Sequence, residues 1–368
     1  MLRPLADYFS ADYRQARDRF NAVARAEYYE PSRYFLNLPA RDGGEIFVDV
    51  ARYGQPDASR VLITTSGTHG VEGFAGSAIQ LYCLENRIFD PIPRDMAIVH
   101  VHALNPYGFS FLRRTNEHNV DINRNCLEWR HEPPPRDPEF TAKIQPLVHP
   151  PEWQWPIPDL VEFRKTHDKA TCTAAIAGGQ YSYNQGLFYG GRGVAWSTLV
   201  WISIIEEHLR RATDIAHIDF HTGLGSYGHG ELIVPAQPGE TMLRLARIWW
   251  GHEAKSPFDG TSAAGPITGF MNAAIGMVRP AARTVSAALE FGTYAPDKVL
   301  EALAFDNYVS ARPRTRQSLR QYWEAKDMMK ETFCPSDPAW KEQVVSRSAD
   351  VLLSAMDNLL APRRRAPE

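Results

Sequence analysis

The sequence predicts an α/β fold, in which a mostly parallel or mixed twisted sheet carries helices on both faces. The first sign is a series of apolar, β-branched runs that are typical of buried strands, such as those at 61–65 and 96–102. The second is the helical apolar spacing between them, at 75–84. A strand, a helix and a strand in this order favour parallel neighbours whose connecting helices cover the sheet.

The other elements are predicted from the same periodicities. Early in the chain, 5–29 has helical spacing and 44–51 alternates as a strand. Further strands are predicted at 214–223, 230–234 and 284–289, and further helices at 159–173, 196–212, 242–253, 297–332 and 344–360.

The domain organisation follows from length and local composition. A chain of 368 residues can bury one large core or two smaller ones, and we expect a single catalytic domain over 1–360. Prolines and aromatic residues are concentrated at 127–158, which we interpret as an insertion over the rim of the site; a plain surface excursion is the alternative. The arginine-rich stretch 361–368 is predicted to be a flexible tail.

Composition argues against several classes of function. The formal net charge of -3 does not favour binding to nucleic acid or to a membrane surface through charge. No apolar run is long enough to cross a bilayer, and the charged N-terminal segment has no signal-peptide core, so we expect a cytoplasmic protein. The 4 cysteines form no CxxC pair and are predicted to be unpaired thiols. The sequence leaves the oligomeric state open.

The first candidate motif is the stretch His69-Gly70-Val71-Glu72. It follows the strand at 61–65 and precedes a helix, so a tight turn can aim its imidazole and carboxylate at one point. Zinc accepts such a mixed nitrogen and oxygen set, and a catalytic zinc keeps three protein ligands and an open position for water. The spacing also arises by chance, so its place between a strand and a helix carries the prediction.

The second candidate segment is 111–126, with the sequence FLRRTNEHNVDINRNC. A solvated surface loop is the simpler interpretation of its arginines and asparagines. Arginine, however, offers a planar fork for a carboxylate or a developing oxyanion, and asparagine adds neutral donors beside it. An anion-binding pocket is therefore the alternative interpretation.

The order of these motifs resembles that of the zinc carboxypeptidase superfamily. NPYG at 105–108 is followed by Arg114, nine residues before Asn123, and by VDINRN at 120–125. Members of the superfamily carry HxxE, then NPDG, then an Arg followed by GVDLNRN. The resemblance covers roughly 69–294 and implies the carboxypeptidase-like α/β fold.

The resemblance also implies residue roles. His69 and Glu72 would be zinc ligands, and Arg114 would polarise the scissile carbonyl. Asn123 and Arg124 would clamp a substrate carboxylate. Asp121 would orient His69, as partners of metal-bound imidazoles commonly do.

A glycine-rich segment at 178–193 lacks both common phosphate-loop patterns, GxGxxG and GxxxxGK[ST]. It resembles a segment of a bacterial, functionally unassigned branch of the same superfamily. On that resemblance, Gln180, Tyr181 and Tyr189 are expected to face the substrate.

The third metal ligand is predicted on the strand at 214–223. Alternation places His217, Asp219 and His221 on one face, and His221 lies at the carboxyl end, where open α/β sheets place ligands. A satisfied core histidine is the alternative. The string DFHTG resembles the third-ligand segment of the superfamily, closest to its deacylase and desuccinylase branch, which implies that His221 is the third ligand.

Glu290 ends another apolar strand, where an acidic residue needs a partner or a task. A salt-bridged structural residue and a catalytic base are both compatible with this position. The superfamily has a general-base Glu at a strand end about this far beyond the third ligand. The resemblance therefore implies that Glu290 is the base.

Together these resemblances imply a hydrolase with one Zn²⁺ per chain that cleaves an amide bond in a small peptide or acylated amino acid bearing a carboxylate. An N-acyl amino acid deacylase or desuccinylase is one alternative, and a non-catalytic binding protein on the same scaffold is another. Digestive carboxypeptidases carry a mobile Tyr before the base, whereas 266–271 offers Phe270 and no Tyr. Amide hydrolysis is therefore better supported than C-terminal trimming of peptides.

Overall fold

The computed structural model describes residues 3–27, 31–130, 133–148, 150–313 and 315–361. The strands in this part of the chain are β1 (Ser32–Pro39), β2 (Glu45–Gly54), β3 (Arg60–Thr65), β4 (Met96–His102), β5 (Asp214–Tyr227), β6 (Gly230–Ile233), β7 (Ala254–Lys255) and β8 (Arg283–Gly292). They form one sheet in the order β1-β2-β4-β3-β5-β8-β6-β7.

The centre of the sheet is parallel and its flanks are mixed. Strands β4, β3, β5 and β8 run in the same direction. Antiparallel pairing joins β2 to β4 and β6 to β8. The predicted mixed α/β sheet is confirmed. The sequence did not predict β1, an edge strand in which only Leu36 is buried.

The helices within the described residues are α1 (Tyr13–Glu27), α2 (Gly73–Glu85), α3 (Pro106–Ser110), α4 (Thr141–Leu147), α5 (Pro158–Thr166), α6 (Lys169–Ala177), α7 (Trp196–His208), α8 (Thr241–Trp250), α9 (Ala273–Val278), α10 (Pro296–Ser310), α11 (Arg316–Phe333) and α12 (Pro338–Leu360). None of them combines the length and apolarity that crossing a bilayer requires.

Three predicted helices are interrupted. The segment 5–29 begins with a separate 3-10 turn at Leu5–Tyr8. The segment 159–173 is divided between α5 and α6, because the side chain of Asp168 caps a new helix by accepting from the backbone N–H of Thr171. The segment 297–332 is divided at Pro313, which cannot supply a helical N–H, and α11 starts with a capping box at Thr315.

Helices cover both faces of the sheet, as predicted. Leu62 and Ile218 point to the core beneath α2, α8 and α12. Ile63, one residue along from Leu62, points to the opposite core, where it packs with Trp201 and Ile205 of α7. Full burial of an aliphatic side chain of this kind contributes roughly 1.5–3 kcal/mol to the free energy of unfolding, so both layers stabilise the sheet.

The proline-rich stretch 127–158 packs against α10 and against the 178–193 loop. The ring of Trp153 stacks on Phe305 of α10 with centroids 4.5 Å apart. The side chain of Gln145 accepts a hydrogen bond of 2.9 Å from the backbone N–H of Leu187. Its role as an insertion over the site stays a prediction, as does the single domain over 1–360.

Of the predicted tail, 362–368 lie outside the described residues. The four cysteines are free and buried, as predicted.

Candidate metal centre

The turn after β3 carries the first two candidate ligands. His69 precedes a 3-10 turn, Gly70–Glu72, which leads directly into α2. A Cβ on Gly70 would lie 2.0 Å from the carbonyl carbon of Gly108, so only glycine allows this close approach. The backbone N–H of Gly70 donates to the carbonyl of Arg114 at 3.1 Å. The turn is therefore fixed against the segment that supplies the arginines.

The three predicted metal ligands converge at the carboxyl edge of the parallel strands. His69 Nδ1 lies 2.9 Å from Glu72 Oε1, and His221 Nδ1 lies 2.9 Å from Glu72 Oε2. The two Nδ1 atoms are 3.0 Å apart. Each residue offers a ligand atom within 4.8 Å of the others, and all three side chains are buried. The arrangement has the size and the donor chemistry of a metal site.

The outer nitrogens of both imidazoles test whether the cluster fits a metal ion. His221 Nε2 lies 2.6 Å from Asp219 Oδ2, and His69 Nε2 lies 3.3 Å from Asp121 Oδ1. An ionised carboxylate only accepts hydrogen bonds, so each Nε2 can carry its proton and leave the Nδ1 lone pair aimed at the centre. The residues present therefore fit a zinc ion.

Arg114 lies directly against this cluster. Its Nε donates to Asp121 Oδ2 at 2.9 Å and its Nη1 to Glu72 Oε1 at 3.3 Å. Its Nη2 lies 2.7 Å from His69 Nε2. Two donors cannot face each other in one hydrogen bond, so a cation on His69 Nδ1 requires this last contact to open. The guanidinium is then available to another acceptor.

The carboxylates of the cluster are held ionised. Burial by itself would raise the pKa of Glu72, but the facing imidazoles of His69 and His221 outweigh burial and hold that pKa well below its usual range. Burial likewise opposes ionisation of Asp121, and Arg114 outweighs it, so the pKa of Asp121 is also well below its usual range. Near neutral pH, the ionised Glu72 can therefore bind a cation, and the ionised Asp121 can orient the imidazole of His69.

Glu290 on β8 is the cross-strand neighbour of His221 on β5. Its Oε1 accepts a hydrogen bond of 2.9 Å from the backbone N–H of Leu224. Both interpretations of Glu290, a structural residue and a catalytic base, stay predictions. Burial, assisted by the charge of Glu72, raises the pKa of Glu290 to about 7, which suits a group that exchanges a proton near neutral pH.

Arg124 is a buried cation without an acidic partner in the described part of the chain. Its Nη1 and Nη2 donate to the carbonyls of Asn123 and Ala177 at 3.1 and 2.8 Å. Its Nε is buried and has no hydrogen-bond partner. Burial lowers the pKa of Arg124 to about 10. A cation in this position would be stabilised by an incoming anion.

Asn123 and the 266–271 stretch form the wall beside this arginine. The side-chain oxygen of Asn123 accepts from the backbone N–H of Met271 at 3.0 Å. A Cβ on Gly269 would lie 2.3 Å from the carbonyl oxygen of Arg124, so the stretch packs closely on the arginine-bearing segment. The ring of Phe188 lies near both arginines, with its centre 5.1 Å from Arg114 Cζ and 5.6 Å from Arg124 Cζ.

The residues predicted in the glycine-rich segment lie in the same wall. Tyr181 donates its hydroxyl to the carbonyl of Arg124 at 2.8 Å, and the carbonyl of Tyr189 accepts from the backbone N–H of Asp121 at 2.8 Å. The side-chain amide of Gln180 donates to two carbonyls of its own loop. Contact between these three residues and a substrate stays a prediction, because each of these hydrogen bonds involves a backbone carbonyl of the wall and fixes its loops.

The site also contains three residues for which the sequence predicts no role, namely Asp219, Thr65 and Thr68. The hydroxyls of both threonines donate to Asp219 Oδ1, at 2.6 and 2.9 Å. The only sequence signal for Asp219 was its alternation with His221 on one face of a strand. The threonines lie some 150 residues away in the chain and gave no signal.

Fold and site together define an α/β protein with a buried His–Glu–His cluster, flanked by a carboxyl group and two arginines, at the carboxyl edge of its sheet. The chain belongs to the family described as "Protein of unknown function (DUF2817)", whose sequence profile matches residues 9–347. No curated protein matches the chain.

Solved structures with a similar fold include bovine thrombin-activatable fibrinolysis inhibitor bound to tick carboxypeptidase inhibitor (10% identity, 92% of this chain and 98% of that chain covered, TM-score 0.45). Another is a Zn-dependent exopeptidase from Parabacteroides distasonis (10% identity, 93% of this chain and 90% of that chain covered, TM-score 0.39). A third is a protein from Shewanella amazonensis described as a succinylglutamate desuccinylase/aspartoacylase family protein (17% identity, 83% of this chain and 75% of that chain covered, TM-score 0.35). The function of this chain has to follow from its own side chains.

Proposed function

We propose that the protein is a zinc-dependent hydrolase that cleaves an amide bond in a small peptide or N-acyl amino acid bearing a carboxylate. The observation that supports this best is the convergence of three buried donors, His69 Nδ1, Glu72 and His221 Nδ1, beside the carboxyl group of Glu290. Three protein ligands leave a coordination position open, which is the arrangement of catalytic rather than structural zinc sites.

The metal would be held by His69, Glu72 and His221. When bound, zinc lowers the pKa of a water molecule and polarises a carbonyl oxygen. Burial disfavours a proton on His221, but Asp219 and Glu72 outweigh burial and raise its pKa well above the ordinary value. A proton therefore competes with the cation for this residue, and zinc affinity is expected to weaken as pH falls.

Glu290 would accept a proton from the attacking water and return it to the leaving nitrogen. Its carboxyl is fixed by the backbone N–H of Leu224, and its pKa of about 7 lets it both accept and donate near neutral pH.

The two arginines would take separate tasks. Arg114, once its contact with His69 opens, can donate to the oxyanion that develops on the scissile carbonyl. Arg124, with Asn123 beside it, would bind the substrate carboxylate, which would give its buried Nε an acceptor. A substrate without a carboxylate would leave that cation unpaired.

The metal site is tested by measuring bound zinc in the purified protein. We expect one zinc per chain, with loss of stoichiometric zinc in His69→Ala and in His221→Ala. His118→Ala serves as the control, because the side chain of His118 is 81% exposed and lies outside the cluster. An unaltered protein that binds no divalent metal would contradict the proposal.

The reaction is tested with N-acyl amino acids, short peptides and their C-terminally amidated forms. We expect hydrolysis only of substrates with a free carboxylate, and a higher KM in Arg124→Lys, because lysine cannot reproduce the planar fork of arginine. Preference for N-acyl amino acids would identify a deacylase, which the absence of Tyr from 266–271 favours over peptide trimming. A zinc-bound protein that hydrolyses none of them would instead be a binding protein on this scaffold.

A further inference from the structure

We propose that Asp219 is the positioning residue of the metal centre: it holds His221 in its metal-binding orientation and joins β5, which carries His221, to the end of β3 and the turn that carries His69. This inference rests on the zinc site proposed above. It concerns a residue that would contact neither the metal nor the substrate and that acts through His221.

The two oxygens of Asp219 serve two different segments. Oδ2 lies 2.6 Å from His221 Nε2, on the same strand. Oδ1 accepts hydrogen bonds from Thr65, the last residue of β3, and from Thr68, the residue before His69. Thr65 and Asp219 are also Cα partners in the β3–β5 pairing. The carboxylate of Asp219 thus joins His221 on β5 to the turn that carries His69 and Glu72.

The hydrogen-bond donors around Asp219 have one consistent assignment. An ionised carboxylate only accepts, so the Thr65 hydroxyl must donate to it, and the Thr65 oxygen accepts from His217 Nε2 at 3.0 Å. In a neutral imidazole, His217 Nδ1 then accepts from the Ser286 hydroxyl at 2.8 Å. The Ser286 oxygen accepts in turn from the side-chain amide of Asn272 at 2.7 Å. Every donor in this buried chain points toward Asp219.

The same reasoning fixes the tautomer of His221. Because Asp219 accepts at Nε2, the proton of a neutral His221 stays on Nε2 and the lone pair on Nδ1 faces Glu72 and His69. An amide at position 219 would have to satisfy two hydroxyl donors and an imidazole with one oxygen and one NH₂ group. If the NH₂ group faced Nε2, the proton would move to Nδ1 and block the metal position.

The experiment compares zinc dissociation constants, measured by competition with a chelator, for the unaltered protein and Asp219→Asn. We expect the substitution to weaken zinc binding about 10- to 100-fold. Asp49→Asn is the matched control, because Asp49 is an equally buried sheet carboxylate that pairs with Arg17 and Arg33. Its zinc affinity should stay within twofold of that of the unaltered protein.

Two further measurements separate positioning from general loss of stability. The visible spectrum of the Co²⁺-loaded protein should change in Asp219→Asn and not in Asp49→Asn, because ligand geometry changes only in the first. Thr68→Val removes one hydroxyl donor to Asp219 and should weaken zinc binding in the same direction by a smaller factor; it also serves as the test if Asp219→Asn does not fold.

The outcomes distinguish this inference from the proposed function. If the unaltered protein binds zinc and Asp219→Asn or Thr68→Val binds it equally well, the positioning role is wrong and the zinc site stands. If the unaltered protein binds no zinc, both are wrong. Equal weakening in Asp219→Asn and Asp49→Asn would also overturn the positioning role, because the effect would then belong to any buried carboxylate.

Discussion

Two glutamates of the site have opposite ionisation behaviour. Glu72 is fully buried but faces two imidazoles, and they hold its pKa well below the usual range. Burial raises the pKa of Glu290 to about 7, and the negative charge of Glu72 adds to that rise. Carboxyl groups whose environments separate their pKa values in this way commonly divide the roles of ligand and proton carrier.

Glu290→Gln should therefore separate metal binding from catalysis. We expect the variant to bind zinc with unchanged stoichiometry, because Glu290 is outside the donor set, and to lose activity about 10²- to 10⁴-fold, the usual contribution of a general base. Glu72→Gln is the contrasting variant and should lose the metal itself. Hydrolysis by Glu290→Gln at the rate of the unaltered enzyme would contradict the assignment.

The pH profile checks the same residue. A base must be ionised, so kcat/KM should fall as pH decreases through the pKa of Glu290. A bound cation favours the ionised form of Glu290 and lowers its pKa. The fall in kcat/KM on the acidic side of the profile, its acidic limb, is therefore expected at or below pH 7. The limb should be absent from any residual activity of Glu290→Gln.

At the scale of elements, a bulge between β5 and β8 orients Glu290. The pairing register shifts between Gly223 and Tyr227, opposite Gly292. Gly225 has a φ of +100°, a left-handed conformation that glycine adopts without strain. The shift turns the backbone N–H of Leu224 toward Glu290 Oε1. The string Thr222-Gly223-Leu224-Gly225 thus supplies a donor to the proposed base.

Gly225→Ala tests the bulge. We expect kcat to fall about tenfold or more, because small displacements of a reacting group are costly, while zinc content stays unchanged. Gly239→Ala is a closely matched control: its φ is +92°, and a Cβ at either glycine would meet nothing within 4 Å. Both substitutions should cost about 1 kcal/mol of stability. Equal kcat in the two variants would show that the bulge does not orient Glu290.

Element boundaries were the weakest part of the sequence-based prediction. Apolar periodicity located the central strands correctly, because their side chains are buried on both faces. It extended helices through the breaks at Asp168 and Pro313, where a capping side chain and a missing N–H outweigh periodicity. The local sequence signals of these two breaks are the capping residue Asp168 and the helix breaker Pro313.

At the scale of the whole molecule, a buried charge cluster connects the C-terminal helices to the arginine-bearing segment. Asp306 of α10 accepts from Lys326 of α11 and, at 3.2 Å, from Arg113, which precedes Arg114. Lys326 is only 1% exposed. Burial, opposed by Asp306, lowers its pKa to about 8. The cluster therefore links the position of the site's arginine segment to the packing of α10 and α11.

The cost of burying Lys326 should appear in the pH dependence of stability. Between about pH 8 and 10.5 the unfolded chain binds more protons at this lysine than the folded chain, so stability rises with pH in that window. Relative to Lys326→Met, the free energy of unfolding should increase by about 1–3 kcal/mol between pH 7.5 and 10.5, measured by urea unfolding.

Lys165→Met is the control for that measurement, because the side chain of Lys165 is 66% exposed and should show no such pH dependence. A difference between the unaltered protein and Lys326→Met that stays constant with pH would mean that Lys326 titrates normally in the folded state.

The sequence by itself determined the central strands of the sheet and the residue types that end or follow them. The apolar runs had to become buried strands, and His69, Glu72, His221 and Glu290 all follow or end such runs, so the parallel arrangement brings them to one edge. Only the tertiary structure decided their contacts: His69 and His221 are 152 residues apart in the chain, and their Nδ1 atoms are 3.0 Å apart in space. The tertiary structure also showed that Asp219 is a common acceptor and that, among the described residues, the buried Nε of Arg124 has no hydrogen-bond partner. Periodicity reports which face a side chain occupies, whereas its partner depends on which strands become neighbours.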